Sequence, residues 1–189
     1  MLKVTVARCL GLVGRAVLAA VAGTALPASA AAAVCPGADT VPGEQELAQA
    51  ATAVVCEINR ERRGRDLPGV RAEPRLALAG ERHARDMVGR GFFSHVSPGG
   101  RGMVARVQAA GYLDGAGRWA LGEVLAWGWG GRATPAATVA AWMDSPPHRR
   151  VLLTRRYREV GIGVALGLPI GPAPGPGATY AAELGVVSR

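Results

Sequence analysis

The chain has 189 residues, 49% of them hydrophobic, which suits one domain with a buried core. Its 22 basic and 14 acidic residues give a formal net charge of +8. A basic surface can meet nucleic acid or an anionic polymer of the cell envelope. Aromatic residues are few and no nucleic-acid-binding motif occurs, so we expect no nucleic acid partner. Arginines cluster at 60–65 and at 149–158, and we interpret both clusters as solvated surface.

The first thirty residues have the pattern of a secretory signal peptide. Lys3 and Arg8 precede an apolar run from Ala16 to Leu26, which is too short to span a bilayer. Residues 27–30 end in the small-x-small pattern that signal peptidases cleave. We therefore predict a signal peptide at 1–30, an N-terminal arm at 31–43 and one domain at 44–189. The predicted protein is secreted, and no later segment is expected to cross a membrane.

Two cysteines remain after the predicted cleavage, Cys35 and Cys56. An even pair in an exported protein is read first as a disulfide. Such a bond would tie the N-terminal arm to the first helix and contribute roughly 3 kcal/mol by restricting the unfolded chain.

Apolar residues at spacings of three and four predict two helices in the first half of the domain. One begins near Glu44 and ends at Gly64. After a loop at 66–71, the second begins at Pro74, a residue favoured at the first helical position. His83 lies on the apolar stripe of this helix, and we favour a core histidine over a ligand there.

The later elements are shorter and mix helix with strand. We predict a helix at 103–110, a strand at 121–126, and a helix capped by Thr134 that halts at Pro146. Residues 148–153 suggest another helical turn, and two strands at 159–166 and 179–187 end the chain. Helices and strands without regular alternation predict an α+β layered single domain.

Three residues on separate segments are candidates for a common site: His95, Glu123 and His148. Two imidazoles and one carboxylate can bind Zn²⁺ with an open position, or act on a water molecule as acid and base. No nucleophile elbow and no His-Glu-x-x-His zinc helix occur in the sequence. Trp127 and Trp129, held among glycines, form either the floor of a ligand groove or part of the core.

Several ordered motifs resemble those of bacterial CAP-domain proteins, the SCP-like relatives of cysteine-rich secretory proteins, antigen 5 and pathogenesis-related 1 proteins. The motifs are His83-Ala-Arg-Asp-Met, Phe92-Phe93-Ser94-His95, Gly122-Glu123, Trp142-x-x-Ser145-Pro-x-His148-Arg149 and Val160-Gly-Ile-Gly-Val164. The resemblance implies an α-β-α sandwich with a cleft lined by two histidines and two acids.

The resemblance places the family histidines at His95 and His148 and the first acid at Glu123. The second acid falls on Ser145, and the asparagine that follows the first acid is replaced by Val124. Some relatives are associated with divalent metals, with sterol or lipid binding, or with proteolysis. No general activity follows from the fold.

These observations lead to one principal prediction and two alternatives. We predict a secreted, monomeric binding or interaction module at the cell envelope, with an envelope polymer, a lipid or a protein as ligand. Its cleft is predicted to bind Zn²⁺ or another divalent cation through His95, Glu123 and His148. The alternatives are a metal-assisted hydrolase that uses the same cleft, and a sterol or lipid carrier.

Overall fold

Five α-helices and a four-stranded mixed sheet form in the part of the chain that the computed structural model describes, residues 34–172 and 174–188. The helices are α1 Leu47–Arg63, α2 Pro74–Arg90, α3 Met103–Ala109, α4 Pro135–Asp144 and α5 Pro146–Leu152. The strands are β1 Arg71–Ala72, β2 Arg118–Trp129, β3 Glu159–Leu166 and β4 Gly177–Ser188. The predicted signal peptide at 1–30 lies outside the described residues.

The sheet has the strand order β1-β3-β4-β2. β1 pairs with β3 in parallel, whereas β4 is antiparallel to both β3 and β2. The long β2–β4 ladder pairs strands that are far apart in sequence, and it sets Glu123 directly opposite Glu183.

The two faces of the sheet carry different side chains, because successive residues of a strand point to opposite faces. On one face an aliphatic and aromatic core packs against α1, α4 and α5, with Val124, Val160, Tyr180 and Trp142 among its members. On the other face lie α2 and α3, over smaller apolar clusters. The predicted α-β-α arrangement is therefore confirmed.

Glycines in β3 allow α2 to lie directly on the sheet. A Cβ atom at Gly161 would lie 1.9 Å from the backbone nitrogen of Ala77, and one at Gly163 would lie 2.0 Å from the carbonyl carbon of Gly80. α2 therefore packs mainly on β3 and β4. The adjoining strand β2 contributes Leu121 and Leu125 to the apolar clusters that include residues of this helix.

Most of the predicted elements are confirmed, and the differences have local causes. β2 extends beyond the predicted strand at 121–126 at both ends, because its pairing with β4 runs from Arg118 to Trp129. The proline pair that was predicted to halt a helix also begins the next one, since proline is well suited to a first helical turn. β1 falls at the edge of the predicted loop at 66–71.

The predicted disulfide forms between Cys35 and Cys56, whose Cα atoms lie 5.7 Å apart. It joins the N-terminal arm to α1, as expected. Among the described residues, no helix has the length and the apolar character needed to cross a membrane.

One arginine of the first predicted surface cluster is a core residue. Arg62 is fully buried, and its guanidinium donates hydrogen bonds to the backbone carbonyls of Pro68, Leu152, Thr154 and Tyr157. The interpretation of this cluster as solvated surface is wrong for Arg62. Its side chain fastens α1 to the segment that follows α5.

Candidate functional site

His95 lies in the loop that connects α2 to α3. α2 ends at Gly91, which adopts the left-handed conformation that terminates many helices. Two side chains then hold the loop backbone: His83 Nε2 lies 2.9 Å from the carbonyl oxygen of Ser94, and Arg106 Nη1 donates to that of His95 at 3.0 Å. The loop that presents His95 is therefore fixed from both flanking helices.

His95 and Glu123 form a hydrogen-bonded pair. The distance from His95 Nδ1 to Glu123 Oε1 is 2.6 Å, and the carboxylate also contacts Arg106 Nη2 through its other oxygen. The side chain of Glu123 is only 3% exposed, whereas that of His95 is 58% exposed. Glu123 thus anchors one edge of an imidazole whose remaining surface faces solvent.

Ion pairing and hydrogen bonding keep Glu123 ionised. Burial raises its pKa, but hydrogen bonds with His95 and Glu183 and the charge of Arg106 outweigh burial and lower the pKa to about 2. Because an ionised carboxylate only accepts hydrogen bonds, His95 Nδ1 carries the proton that joins the pair. The second ring nitrogen, Nε2, is left to interact with a ligand.

Glu183 supplies a second buried carboxyl group beside Glu123. It is fully buried, and the nearest guanidinium nitrogen, Arg106 Nη2, lies 3.9 Å from its Oε1. Burial and the charge of Glu123 raise the pKa of Glu183 well above its usual value. Burial and the charge of Glu123 therefore favour the protonated, neutral form of Glu183 beside the ionised Glu123.

The two cleft histidines have pKa values displaced in opposite directions. The hydrogen bond to Glu123 raises the pKa of His95. His148 lies in the first turn of α5. Burial is the main cause that lowers its pKa, and the charge of His95 is a smaller cause. The charge of His95 is thus one of the two influences on the pKa of the His148 ring.

Aromatic rings continue the surface beside this pair. Trp127 stacks on Trp129 with ring centroids 6.2 Å apart, and Phe93 meets Trp127 edge-on at 6.5 Å. Phe93 and Trp129 are each 37% exposed. Trp127 and Trp129 are separated from Glu123 by an even number of residues along β2, so their side chains lie on the same face of the sheet as that of Glu123.

Comparison with protein families matches residues 55–167 to CAP, the cysteine-rich secretory protein family. The match covers more than half of the chain and includes His95, Glu123 and His148. The chain belongs to the CAP family. A comparison with curated proteins finds no match.

Solved structures of bacterial proteins share the fold at low sequence identity. An extracellular protein with an SCP domain from Bacillus anthracis is 20% identical, with a TM-score of 0.60 over 76% of this chain and 43% of that one. An outer surface protein of Borrelia burgdorferi is 18% identical, with a TM-score of 0.55 over 71% and 90%.

A cysteine-rich secretory protein from Staphylococcus aureus is 14% identical, with a TM-score of 0.54 over 78% of this chain and 40% of that one. The chain spans less than half of the Bacillus and Staphylococcus proteins. At these identities the likeness establishes the fold alone.

Ser145, the residue aligned with the second family acid, lies between α4 and α5. Its backbone nitrogen donates to the carbonyl of Trp142, and its carbonyl accepts from Arg149. The second carboxyl group beside Glu123 comes instead from Glu183.

The residues predicted to bind a metal are not arranged as a ligand set. Both oxygens of Glu123 are engaged, one by His95 and one by the buried cation Arg106. Among the described residues, no group of three or more histidine, cysteine, aspartate or glutamate side chains is placed to hold a metal ion. This arrangement does not favour a divalent cation held by His95, Glu123 and His148. Metal binding by these three residues stays a prediction from the sequence.

Sequence reasoning missed Arg106 and Glu183. Glu183 lies beyond the residues matched to the family and interrupts an apolar strand, which was the available signal. Arg106 follows Met103 by three residues and precedes Ala110 by four, so helical spacing places it next to the apolar stripe of α3. Both signals are local, but the partner that explains them, Glu123, is distant in sequence.

Proposed function

We propose that the protein is an exported CAP-domain binding module whose cleft binds a polymer of the cell envelope. The observation that carries the proposal is the combination of a rigidly held, half-exposed imidazole with an adjoining aromatic surface. His95 offers Nε2 for a polar group, while Phe93 and Trp129 offer partly exposed ring faces. Ligand sites commonly combine aromatic walls with a few fixed polar groups.

Export is supported by the leader pattern of the sequence and by the descriptions of two solved relatives as extracellular and outer-surface proteins. The disulfide between Cys35 and Cys56 also suits an oxidising compartment. N-terminal sequencing of the protein recovered from outside the cell tests this part. A retained Met1 in that fraction would oppose cleavage after Ala30.

A glycan strand is the form of envelope polymer that best suits the cleft. Sugar rings present an apolar face that can pack on an indole and a rim of hydroxyl groups that can bond to an imidazole. The pKa of His95 is raised by Glu123, so the ring gains a proton more readily than a free histidine when the pH falls. A protonated His95 then donates from Nε2 to hydroxyl or carboxylate oxygens.

Binding of soluble cell-wall glycan fragments, measured by calorimetry, tests the cleft. His95→Ala and Trp129→Ala should each weaken binding about tenfold, the effect of losing one good contact of roughly 1.4 kcal/mol. Trp119→Ala is the matched control, because Trp119 is 48% exposed at the opposite end of β2. Equal affinity for all three variants and the unchanged protein would disprove the proposed glycan cleft.

A hydrolase is the second candidate, favoured by the opposite pKa shifts of the two histidines. Groups whose environments push their pKa values apart are suited to act as an acid and a base. His95, with its raised pKa, is the candidate acid, and His148, with its lowered pKa, is the candidate base. Release of glycan or peptide fragments that is lost in both His95→Gln and His148→Gln would replace the binding role with catalysis.

A lipid or sterol ligand is the third prediction, and the ring cluster of Phe93, Trp127 and Trp129 supports it. The same variants separate it from glycan binding. Saturable sterol binding that survives His95→Ala but not Trp129→Ala would assign the cluster to an apolar ligand. Loss of glycan binding in both His95→Ala and Trp129→Ala would assign the ring cluster to a glycan ligand.

A further inference from the structure

A cavity of about 360 Å³ lies between α2 and the segment that runs from the His95 loop into α3. Its volume is within the range of small-molecule sites. The lining residues that matter here are Arg82, His83, Asp86, Arg90, Arg101 and Arg106. Arg106 lines this cavity and also contacts Glu123.

The lining carries an excess of positive charge. Two of its four arginines are matched by carboxylates: Arg90 contacts Asp86 at 3.3 Å, and Arg106 contacts Glu123. Arg82 and Arg101 form no ion pair with other side chains in the described part of the chain, and both are exposed. A cavity with uncompensated guanidinium groups attracts anions, and oxyanions above all, because the guanidinium fork matches them.

Arg106 leaves one buried donor unused. Its Nη1 donates to the carbonyls of His95 and Arg101, and its Nη2 contacts Glu123. Its Nε is buried and has no hydrogen-bond partner within the described residues. A buried N–H without a partner is costly, so this atom favours a ligand that brings an acceptor.

His83 leaves one buried acceptor unused. The ring is fully buried, and Nε2 bonds to the carbonyl of Ser94, which only accepts. Nε2 therefore carries the proton, and Nδ1 is a bare lone pair with no partner among the described residues. Burial and the charge of Arg106 lower the pKa of His83, which keeps the ring neutral. Nδ1 thus favours a ligand that brings a donor.

We propose that this cavity is a binding site for a phosphate monoester group or for hydrogen phosphate. A singly protonated phosphate group offers an oxygen acceptor to Arg106 Nε and a P–OH donor to His83 Nδ1. Its remaining charge faces Arg82 and Arg101 at the rim. Sulfate lacks the acidic proton at neutral pH and cannot satisfy His83, and a simple carboxylate lacks it as well. The site is separate from the proposed glycan cleft, and either can fail without the other.

Calorimetry with inorganic phosphate and with sulfate at equal ionic strength tests the proposal on the full exported protein. Phosphate should bind at least tenfold more tightly than sulfate, and Arg82→Gln combined with Arg101→Gln should weaken phosphate binding at least tenfold. Arg85→Gln is the matched control on the same helix, since Arg85 pairs with Glu81 and does not line the cavity. Absence of saturable phosphate binding, equal affinity for sulfate, or an equal loss in the Arg85→Gln variant would overturn the proposal.

Nitrogen NMR of the imidazole rings gives a readout that needs no change to the buried residues. The sequence contains three histidines, so the ring signals can be assigned by comparison with His95→Gln and His148→Gln. Addition of phosphate should shift the His83 Nδ1 signal toward that of a hydrogen-bonded nitrogen, and sulfate should not. A shift confined to the His95 ring would place the anion in the cleft and overturn the assignment to the cavity.

Discussion

The two faces of the sheet differ in what they bury. The face toward α1, α4 and α5 is almost entirely apolar, whereas the face toward α2 and α3 includes Glu123, Glu183 and the side chains that contact them. The difference arises within single strands, because neighbouring residues alternate between the two faces. One face therefore carries most of the hydrophobic stabilisation, and the other carries groups that are costly to bury unless they are paired.

Truncation of the apolar core should have the largest effect. Trp142 is 1% exposed, and its Nε1 donates to the carbonyl of Leu125 at 2.9 Å. Trp142→Ala should lower the free energy of unfolding by about 3–5 kcal/mol, measured by urea denaturation. Trp129→Ala, at the exposed end of β2, should change it by less than about 1 kcal/mol. Similar losses in the two variants would contradict the assignment of stability to one face.

The second prediction concerns how closely α2 approaches the sheet. A Cβ atom at Gly163 would overlap the backbone of Gly80 and Glu81, so Gly163→Ala forces the helix outward. We expect a loss of about 3 kcal/mol in the free energy of unfolding, at the upper end of overpacking effects.

Gly89→Ala, a substitution in α2 itself, is the control for Gly163→Ala in β3. A Cβ atom at Gly89 meets nothing within 4 Å, so alanine should stabilise the helix by about 0.5–1 kcal/mol. Thermal unfolding of both variants measures the contrast. A tolerated Gly163→Ala would show that the separation between α2 and β3 is not fixed by contact.

The third prediction concerns Glu183→Gln and has the smallest expected effect. The difference in the free energy of unfolding between this variant and the parent protein should be small at low pH and should grow as the pH rises. The raised pKa means that folded Glu183 keeps a proton that the unfolded chain releases above its ordinary pKa. The free energy of unfolding of the parent protein should therefore fall as the pH rises from the unfolded pKa toward the folded one. Glutamine mimics the neutral acid and removes this dependence.

Denaturation of Glu183→Gln and of the parent protein across the pH range measures the difference directly. The variant should match the parent near pH 4 and become the more stable of the two as the pH rises. Glu44→Gln, at an exposed position, is the control and should parallel the parent. A constant difference between Glu183→Gln and the parent at all pH values would show that Glu183 does not hold an extra proton beside Glu123 and Arg106.

Local patterns in the sequence predicted the elements better than the contacts between them. The periodicity around Leu76 and Met87 predicted α2, and the apolar run from Val160 predicted β3, because both signals depend on neighbouring residues. The register that opposes Glu123 to Glu183 depends on strands that are far apart in the chain. The ordered motifs placed His95, Glu123 and His148 in one region, but they did not reveal the buried cation that engages Glu123.

The burial of Arg62 was not predicted, for a related reason. A basic residue near the end of a helix normally faces solvent and complements the helix dipole. The carbonyls that accept from Arg62 belong to the loop after α1, to the last residue of α5 and to the segment that follows it, and no property of α1 alone predicts them. Burial of a guanidinium was therefore beyond the reach of local sequence reasoning at this position.

The placement of α2 over β3 and β4 has a consequence for design. The principal contacts of α2 are made on β3 and β4, and β2 joins the clusters around this helix through Leu121 and Leu125 rather than through its last residues. Positions such as Trp127 and Trp129, together with Phe93 in the adjoining loop, can then be randomised with little change in the packing of α2. The domain thereby offers a disulfide-braced scaffold on which new ligand specificity can be selected at a single strand and a single loop.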